Sequence, residues 1–155
     1  DVYMRHSTSP ISLAPWACDF YPNESGFLLT KDYTFTDMDG VNRLVPKFFW
    51  FNGASIPRSL WPFIYSPFHP EVILGSLVHD WLYTSHIVTK EHADELLRKI
   101  CVEEGADERK AILIFNAVDR LGSPFWKNSE TDLAYFSHLK DWIVKSGRKL
   151  SDYGI

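Results

Sequence analysis

The feature that most constrains this fold is a change of pattern near Pro70. Most of the nine prolines lie before it, among alternating aromatic and β-branched residues, and long segments of 3.6-residue periodicity follow it. Such a chain reads as strand-forming first and helical afterwards. Gly26 to Phe35 and Val41 to Trp50 are β-rich runs on either side of Asp37-Met38-Asp39-Gly40, a turn sequence, and together they predict a hairpin. Pro46 offers no amide hydrogen, so the second run is expected at an edge or a bulge. Residues 1–25, with Pro10, Pro15 and Pro22, predict an extended arm crossing the surface, partly disordered when alone.

Four helices are predicted after the change, over 70–86, 89–104, 107–122 and 129–146. Pro70 suits a first turn, Thr89 caps the second helix, Gly105 ends it, and Gly122 with Pro124 stops the third. Ile112, Leu113, Ile114, Phe115, Val118 and Leu121 surround most of the third helix, which predicts a central position, with the last helix packing on it through Leu133, Phe136, Leu139, Trp142 and Ile143. The expected architecture is α+β, mainly α: an N-terminal hairpin packed on a bundle of about four helices. It forms one domain over 1–155, divided into arm 1–25, hairpin 26–50, loop 51–69, bundle 70–146 and tail 147–155.

With 155 residues, 45% apolar and 15% aromatic, the chain can build one core of its own. A net charge of −4 without any Lys/Arg run removes the electrostatic footprint of a nucleic-acid binder. Cys18 and Cys101 fit reduced thiols and leave one long-range disulfide open. No apolar run reaches the length of a membrane span, and Asp1 to Pro15 lacks the basic-then-apolar order of a signal peptide, so the chain reads as soluble. It begins without Met, as a processed product would.

Leu77-Val78-His79-Asp80-Trp81-Leu82-Tyr83, followed by Ala93-Asp94, carries the clearest chemistry. A His takes a proton near neutral pH, and a carboxylate on its other ring nitrogen fixes the tautomer and stabilises the imidazolium that forms. At 100° per residue, Leu74, Leu77, Val78 and Trp81 fall on one side of the first helix, and Gly75, His79 and Tyr83 fall on the other. His79 is therefore expected off the main apolar stripe, with Gly75 leaving room beside the imidazole and Tyr83 offering a hydroxyl one turn on. Asp94 is expected at the margin of the next helix, reaching across to its neighbour. Lys90 and Arg98, four residues to either side of it, equally suit a plain solvated face. His6, His69, His86, His92 and His138 are expected in surface or packing positions.

Asn52-Gly53-Ala54-Ser55-Ile56-Pro57-Arg58 carries the second signal. An Asn-Gly turn exposes carbonyls, and a carbonyl-rich loop beside a carboxylate is how calcium is commonly held, so Asp80, Asn52 and Gly53 are candidate ligands. Ser55, Arg58 and Gly75 are candidate loop or substrate contacts, and a tight turn with Ser55 as a cap is the plain alternative. Ser55 lacks the strand-turn-helix setting of a nucleophile elbow, although His79 would serve as its base if folding joined them. Trp61-Pro62-Phe63-Ile64-Tyr65 and Pro67-Phe68 are expected to roof the core, the alternative being insertion into a lipid interface.

From Phe48 to Trp126, the order Asn-Gly-Ala-Ser-Ile-Pro-Arg, His-Asp-Trp-Leu-Tyr, Ala93-Asp94 and Ala117-Val118-Asp119-Arg120-Leu121-Gly122 resembles a phage and prophage family catalogued as a domain of unknown function. That family usually shows Asp where this chain has Asn52. Independently, His79-Asp80-x-x-Tyr83 with a downstream Asp is similar to the signature of secreted and parvoviral phospholipases A2. That resemblance implies an antiparallel helix pair with His79 as base, Asp80 as calcium ligand, Asp94 as the group orienting the His and Tyr83 as a supporting hydroxyl. The Gly-rich calcium loop and the cysteine framework of those enzymes have no counterpart here.

Three functions follow. One is a calcium-assisted ester hydrolase acting on phospholipid at a membrane surface. Another is a non-catalytic phage virion or tail component, or a binder of a host factor, placed in the virion or host cytoplasm. The third is a transition-metal hydrolase using His79, Asp80 and His69 or Asp119.

Overall fold

A computed structural model describes residues 5–6, 10–64 and 66–155. Residues 1–4 of the expected arm, its residues 7–9, and Tyr65 of the aromatic stretch lie outside the described residues. The strands are β1 Leu13–Trp16, β2 Gly26–Leu29, β3 Tyr33–Thr36, β4 Asn42–Val45 and β5 Trp50–Phe51. The helices are α1 Trp61–Ile64, α2 Ile73–Ser85, α3 Lys90–Glu103, α4 Glu108–Leu121, α5 Ser123–Trp126 and α6 Glu130–Lys145. The protein is α+β, as the change of pattern near Pro70 predicts.

Residues 26–51 divide between two small antiparallel sheets instead of one expected hairpin. β3 pairs with β4, and β2 lies between β1 and β5. The interruption has a local cause. Pro46 donates no bond to a ladder, and Phe48 adopts a left-handed φ of +79°, which turns the strand before β5 begins. Part of the expected arm is a strand as well, since Leu13 to Trp16 pair with Leu29 to Gly26. The expected tail also folds back: a 3-10 turn at Leu150–Tyr153 buries Tyr153, whose hydroxyl donates to Asp32 at 3.0 Å.

Helix boundaries follow capping chemistry. Thr89 accepts from the His92 amide at 3.2 Å, Asp107 accepts from Lys110 at 2.8 Å, and Ser129 with Asp132 forms a capping box. Pro70 sits one turn earlier than expected, in the turn before α2, where the His69 carbonyl accepts from Val72 and Ile73 at 2.8 Å. Gly122 does not lead into a simple loop, because α5 starts directly after it.

The central helix is α2, not α4. Every residue from Leu74 to Tyr83 is buried, with Trp81, Leu77, Leu82 and Val78 at the middle of the larger core. α4 buries only Ala111, Ile114 and Val118, while Ile112, Leu113 and Leu121 face solvent. α6 lies against α2 and the C-terminal turn through Tyr135, Leu139 and Ile143, and Leu133 and Trp142 are exposed. A second core of Ile56, Leu60, Ile64, Val72, Leu97, Cys101, Ile114 and Val118 joins the 51–64 segment to α3 and α4. The aromatic stretch roofs this core incompletely, since Phe63 is exposed. Cys18 and Cys101 are separate free thiols, both buried, and burial pushes the Cys101 thiol up to about 12.

Gly75 lets α3 side chains close on α2, and it does not make room for a ligand. A Cβ there would lie 2.9 Å from Leu97 Cδ1 and 3.2 Å from Cys101 Sγ. Gly75→Val should therefore overpack this interface and cost about 1–3 kcal/mol, read as a lower urea midpoint with unchanged slope.

Candidate functional site

The site forms where α2, α3 and the loop 52–55 meet. α2 and α3 pack against each other across a short turn, opened by His86 at the end of α2 in the left-handed region at φ +54°. That brings His79 of α2 against Asp94 of α3. His79 Nε2 lies 2.8 Å from Asp94 Oδ1, and neither side chain has any exposed surface. The expected positions off the apolar stripe and at the helix margin are thus corrected: both groups are fully inside, because α2 is covered on all sides.

Two further donors complete Asp94. The Tyr83 hydroxyl donates to Oδ1 at 2.7 Å and Lys90 Nζ donates to Oδ2 at 2.7 Å. Burial pushes the Asp94 carboxyl up, but the hydrogen bond and charge of His79, then Lys90 and Tyr83, outweigh it and hold the group below the usual carboxylate range. An ionised Asp94 accepts, so Nε2 of His79 carries a hydrogen, and in the neutral ring Nδ1 then presents a lone pair. Burial and the adjacent Asp94 push the Tyr83 phenol well above its ordinary value, keeping it a donor.

On the other side of the ring, His79 Nδ1 lies 2.8 Å from Ser55 Oγ. Ser55 Oγ also bonds Asp80 Oδ1, and the amides of Gly53 and Ser55 reach the two oxygens of Asp80 at 2.8 and 3.4 Å. The result is a continuous chain, Asp94, His79, Ser55, Asp80. Burial raises the Asp80 carboxyl against the opposing pull of Ser55, His79 and the two amides. The Ser55 hydroxyl has one proton and two acceptors within reach, Asp80 Oδ1 and His79 Nδ1.

Loop 52–55 takes this shape for local reasons. Asn52 Oδ1 accepts the Ala54 amide at 3.0 Å in an Asx turn, and Gly53 sits at φ +74° with Pro67 packed where a side chain would be. The turn points N–H groups, not the expected carbonyls, at Asp80. A cation on that carboxylate would face donors, so the set does not fit calcium; among the described residues no group of three or more His, Cys, Asp or Glu is placed to hold a metal. Arg58 turns outward, pairing with Glu24 Oε1 at 2.8 Å and lying over the Trp61 ring, and Asn52 Nδ2 donates to Glu24 Oε2 at 3.1 Å. His69 interacts with Glu71, and Asp119 gives its backbone carbonyl to Lys90. Of the expected histidines, His6 is buried against the Thr36 carbonyl and His92 pairs with the fully buried Asp37.

Ser55 and Asp80 border an open cavity of about 340 Å³, walled by Tyr21, Trp50, Tyr83, Asn128 and Tyr135. Of this wall the sequence pointed only to Tyr83; Tyr21 comes from the segment before β2, Trp50 from β5, Asn128 from the approach to α6 and Tyr135 from α6 itself. The stacking of Tyr21 on Trp50, with ring centroids 5.3 Å apart, and the bond from Tyr21 to Asp132 at 2.5 Å hold it together. Lys90 was missed too, although its four-residue spacing from Asp94 was visible.

A family described as Protein of unknown function (DUF1353) matches residues 27–118. The chain belongs to that family. Two relatives are both named as uncharacterized proteins of Sinorhizobium fredii (strain NBRC 101917 / NGR234). The y4iH protein is 33% identical over 99 residues, 64% of this chain and 41% of the relative, and the y4jT protein is 36% identical over 55 residues, 36% of this chain and 16% of the relative. The chain thus spans less than half the length of these relatives. No solved structure matches it.

Asp94→Asn should be destabilising by about 3 kcal/mol at neutral pH, since it leaves Lys90 and His79 without their buried anion. Because the Asp94 pKa is depressed on folding, its contribution is complete above the unfolded value of about 3.9 and fades as pH falls through the lower folded value. Urea unfolding of both proteins should show the deficit at pH 7 and its disappearance in strong acid.

Proposed function

We propose that this protein is an acyl-ester hydrolase in which Ser55 is the nucleophile, His79 the general base and Asp94 the group that orients the base. The observation that carries this reading is the line Asp94 Oδ1, His79 Nε2, His79 Nδ1, Ser55 Oγ, with 2.8 Å at each end and Ser55 at the edge of the cavity. A base within hydrogen-bond reach of a hydroxyl, itself held by a third group, is the general arrangement for activating a weak nucleophile.

In this reaction His79 Nδ1 takes the Ser55 proton as Oγ bonds to the acyl carbon. The proton then passes to the departing alkoxide as the ester C–O bond breaks. Water repeats the sequence on the acyl-serine and releases the acid. Asp80 tethers Ser55 and the loop through Gly53, and the cavity of about 340 Å³ receives the acyl compound. The phospholipase A2 resemblance supports the dyad and makes phospholipid one substrate to try. Calcium is left out of the reaction because N–H groups face Asp80.

One observation favours a second reading. Asp80 gathers the Gly53 and Ser55 amides and the Ser55 hydroxyl, which is also what a purely structural clasp between loop and helix would do. In that reading the protein is a non-catalytic component of a phage particle, or a binder of a host factor, and the phage resemblance supports it. Among the described residues no helix is long and apolar enough to cross a membrane.

The experiment compares the chain with Ser55→Ala and His79→Gln on p-nitrophenyl esters of graded length and on mixed phospholipid vesicles, each with calcium and with chelator. Turnover lost by about 10³-fold or more in both variants, with folding retained, is expected. Turnover kept in Ser55→Ala would overturn Ser55 as nucleophile, calcium-dependent turnover would restore a metal at Asp80, and no turnover in the parent would leave the structural clasp.

A further inference from the structure

The segment Ala117 to Gly122 plays no part in that reaction, yet it lies directly behind the dyad. Lys90 Nζ donates to Asp94 Oδ2 at 2.7 Å and also meets the carbonyls of Val118 at 2.9 Å and Asp119 at 3.3 Å. Those carbonyls belong to the last turn of α4, where the negative end of the helix dipole favours a cation, and the Val118 carbonyl accepts the capping Gly122 amide at 2.9 Å as well. An ammonium has three N–H bonds, and here each has an acceptor. This differs from an ordinary exposed pair at four-residue spacing, which contributes little, because the Lys90 side chain is only 12% exposed and that of Asp94 is 0% exposed.

Gly122 supplies an independent observation. A Cβ at this position would lie 2.3 Å from the Val118 carbonyl, 2.7 Å from the Tyr83 hydroxyl and 3.2 Å from Lys90 Cε. The end of α4 therefore closes on both residues that hold Asp94 besides His79, and only a residue without a side chain permits it. A carboxylate bonded only through Oδ1 could rotate and exchange its oxygens. With Oδ2 fixed by Lys90, Oδ1 stays on Tyr83 and His79.

We propose that Lys90 is a positioning residue acting through Asp94 on His79, and that the Ala117–Gly122 segment is the anchor that aims it. The inference rests on the reading of His79 as a base. It accounts for a motif that the reaction itself leaves unused and connects α4, otherwise peripheral, to the site.

The test uses the full chain with ¹⁵N-labelled histidine and the variants Lys90→Met, Lys90→Arg and Gly122→Ala. Two readouts are taken on folded protein: the ring-nitrogen resonances of His79, and the rate at which a fluorophosphonate probe labels Ser55. The parent should show His79 protonated on Nε2. Lys90→Met should average the two tautomers and slow labelling by about 10²-fold, the cost of a small misplacement of a reacting group. Lys90→Arg should recover much of both, and Gly122→Ala should resemble Lys90→Met in milder form. Unchanged resonances and labelling in folded Lys90→Met would overturn the proposal, and if that variant does not fold, parent-like behaviour of Gly122→Ala would do so. A parent that resists the probe while its His79 resonances respond to Lys90 substitution would overturn the hydrolase reading and leave the positioning role standing.

Discussion

A carboxylate with no exposed surface sits between α2 and α3, and the rest of the helical half is arranged to satisfy it. Taking an ionised group out of water costs several kcal/mol unless donors replace the lost hydration. Asp94 receives three, from His79, Tyr83 and Lys90. Each comes with a requirement of its own. His79 and Tyr83, one turn apart, need α2 aligned against α3, which Gly75 allows by letting Leu97 approach; Lys90 needs the end of α4, which Gly122 leaves open. One buried charge thus sets the positions of three helices relative to one another.

Asp80, next in sequence to His79, meets a different environment and takes a different part. It faces the loop, and its oxygens collect the Gly53 and Ser55 amides and the Ser55 hydroxyl. Asp94 is held ionised by its donors, while burial raises Asp80. Two carboxylates pushed in opposite directions are joined through an imidazole and a hydroxyl into one hydrogen-bonded chain. The loop that completes it is secured from outside by Glu24, which bonds both Asn52 and Arg58. Arg58 therefore acts on the site by holding the loop's outer edge.

Several elements were legible from local chemistry. The cap at Thr89, the stop at Gly105 and the partition into strands before Pro70 and helices after it depend on residues close in sequence, and the structure follows them within a few positions. Burial was less legible. The run Ala111 to Phe115 of α4 is wholly apolar, yet Ile112 and Leu113 are exposed, whereas α2 carries His79, Asp80 and Ser76 and is buried from Leu74 to Tyr83. Periodicity reports which residues prefer the interior, and it carries no information on how many neighbours a helix will find. α2 is surrounded because sheet, loop, α3 and α6 all converge on it, and α4 has company on one side only.

The sequence by itself determined that this is an α+β chain, that an imidazole, two carboxylates and a phenol share two successive helices, and that an Asn-Gly turn precedes a serine. These follow from propensity, capping and spacing, which act over a few residues. Only the tertiary structure decided that Ser55 reaches the free nitrogen of His79, that the loop offers amides instead of carbonyls to Asp80, and that Lys90 is held by the far end of α4. Those contacts span 24 to 28 residues of chain, and their geometry depends on where separate elements come to rest. Local pattern sets each element, but the relative placement is settled by the shared need to bury apolar surface and satisfy the polar groups carried inside with it.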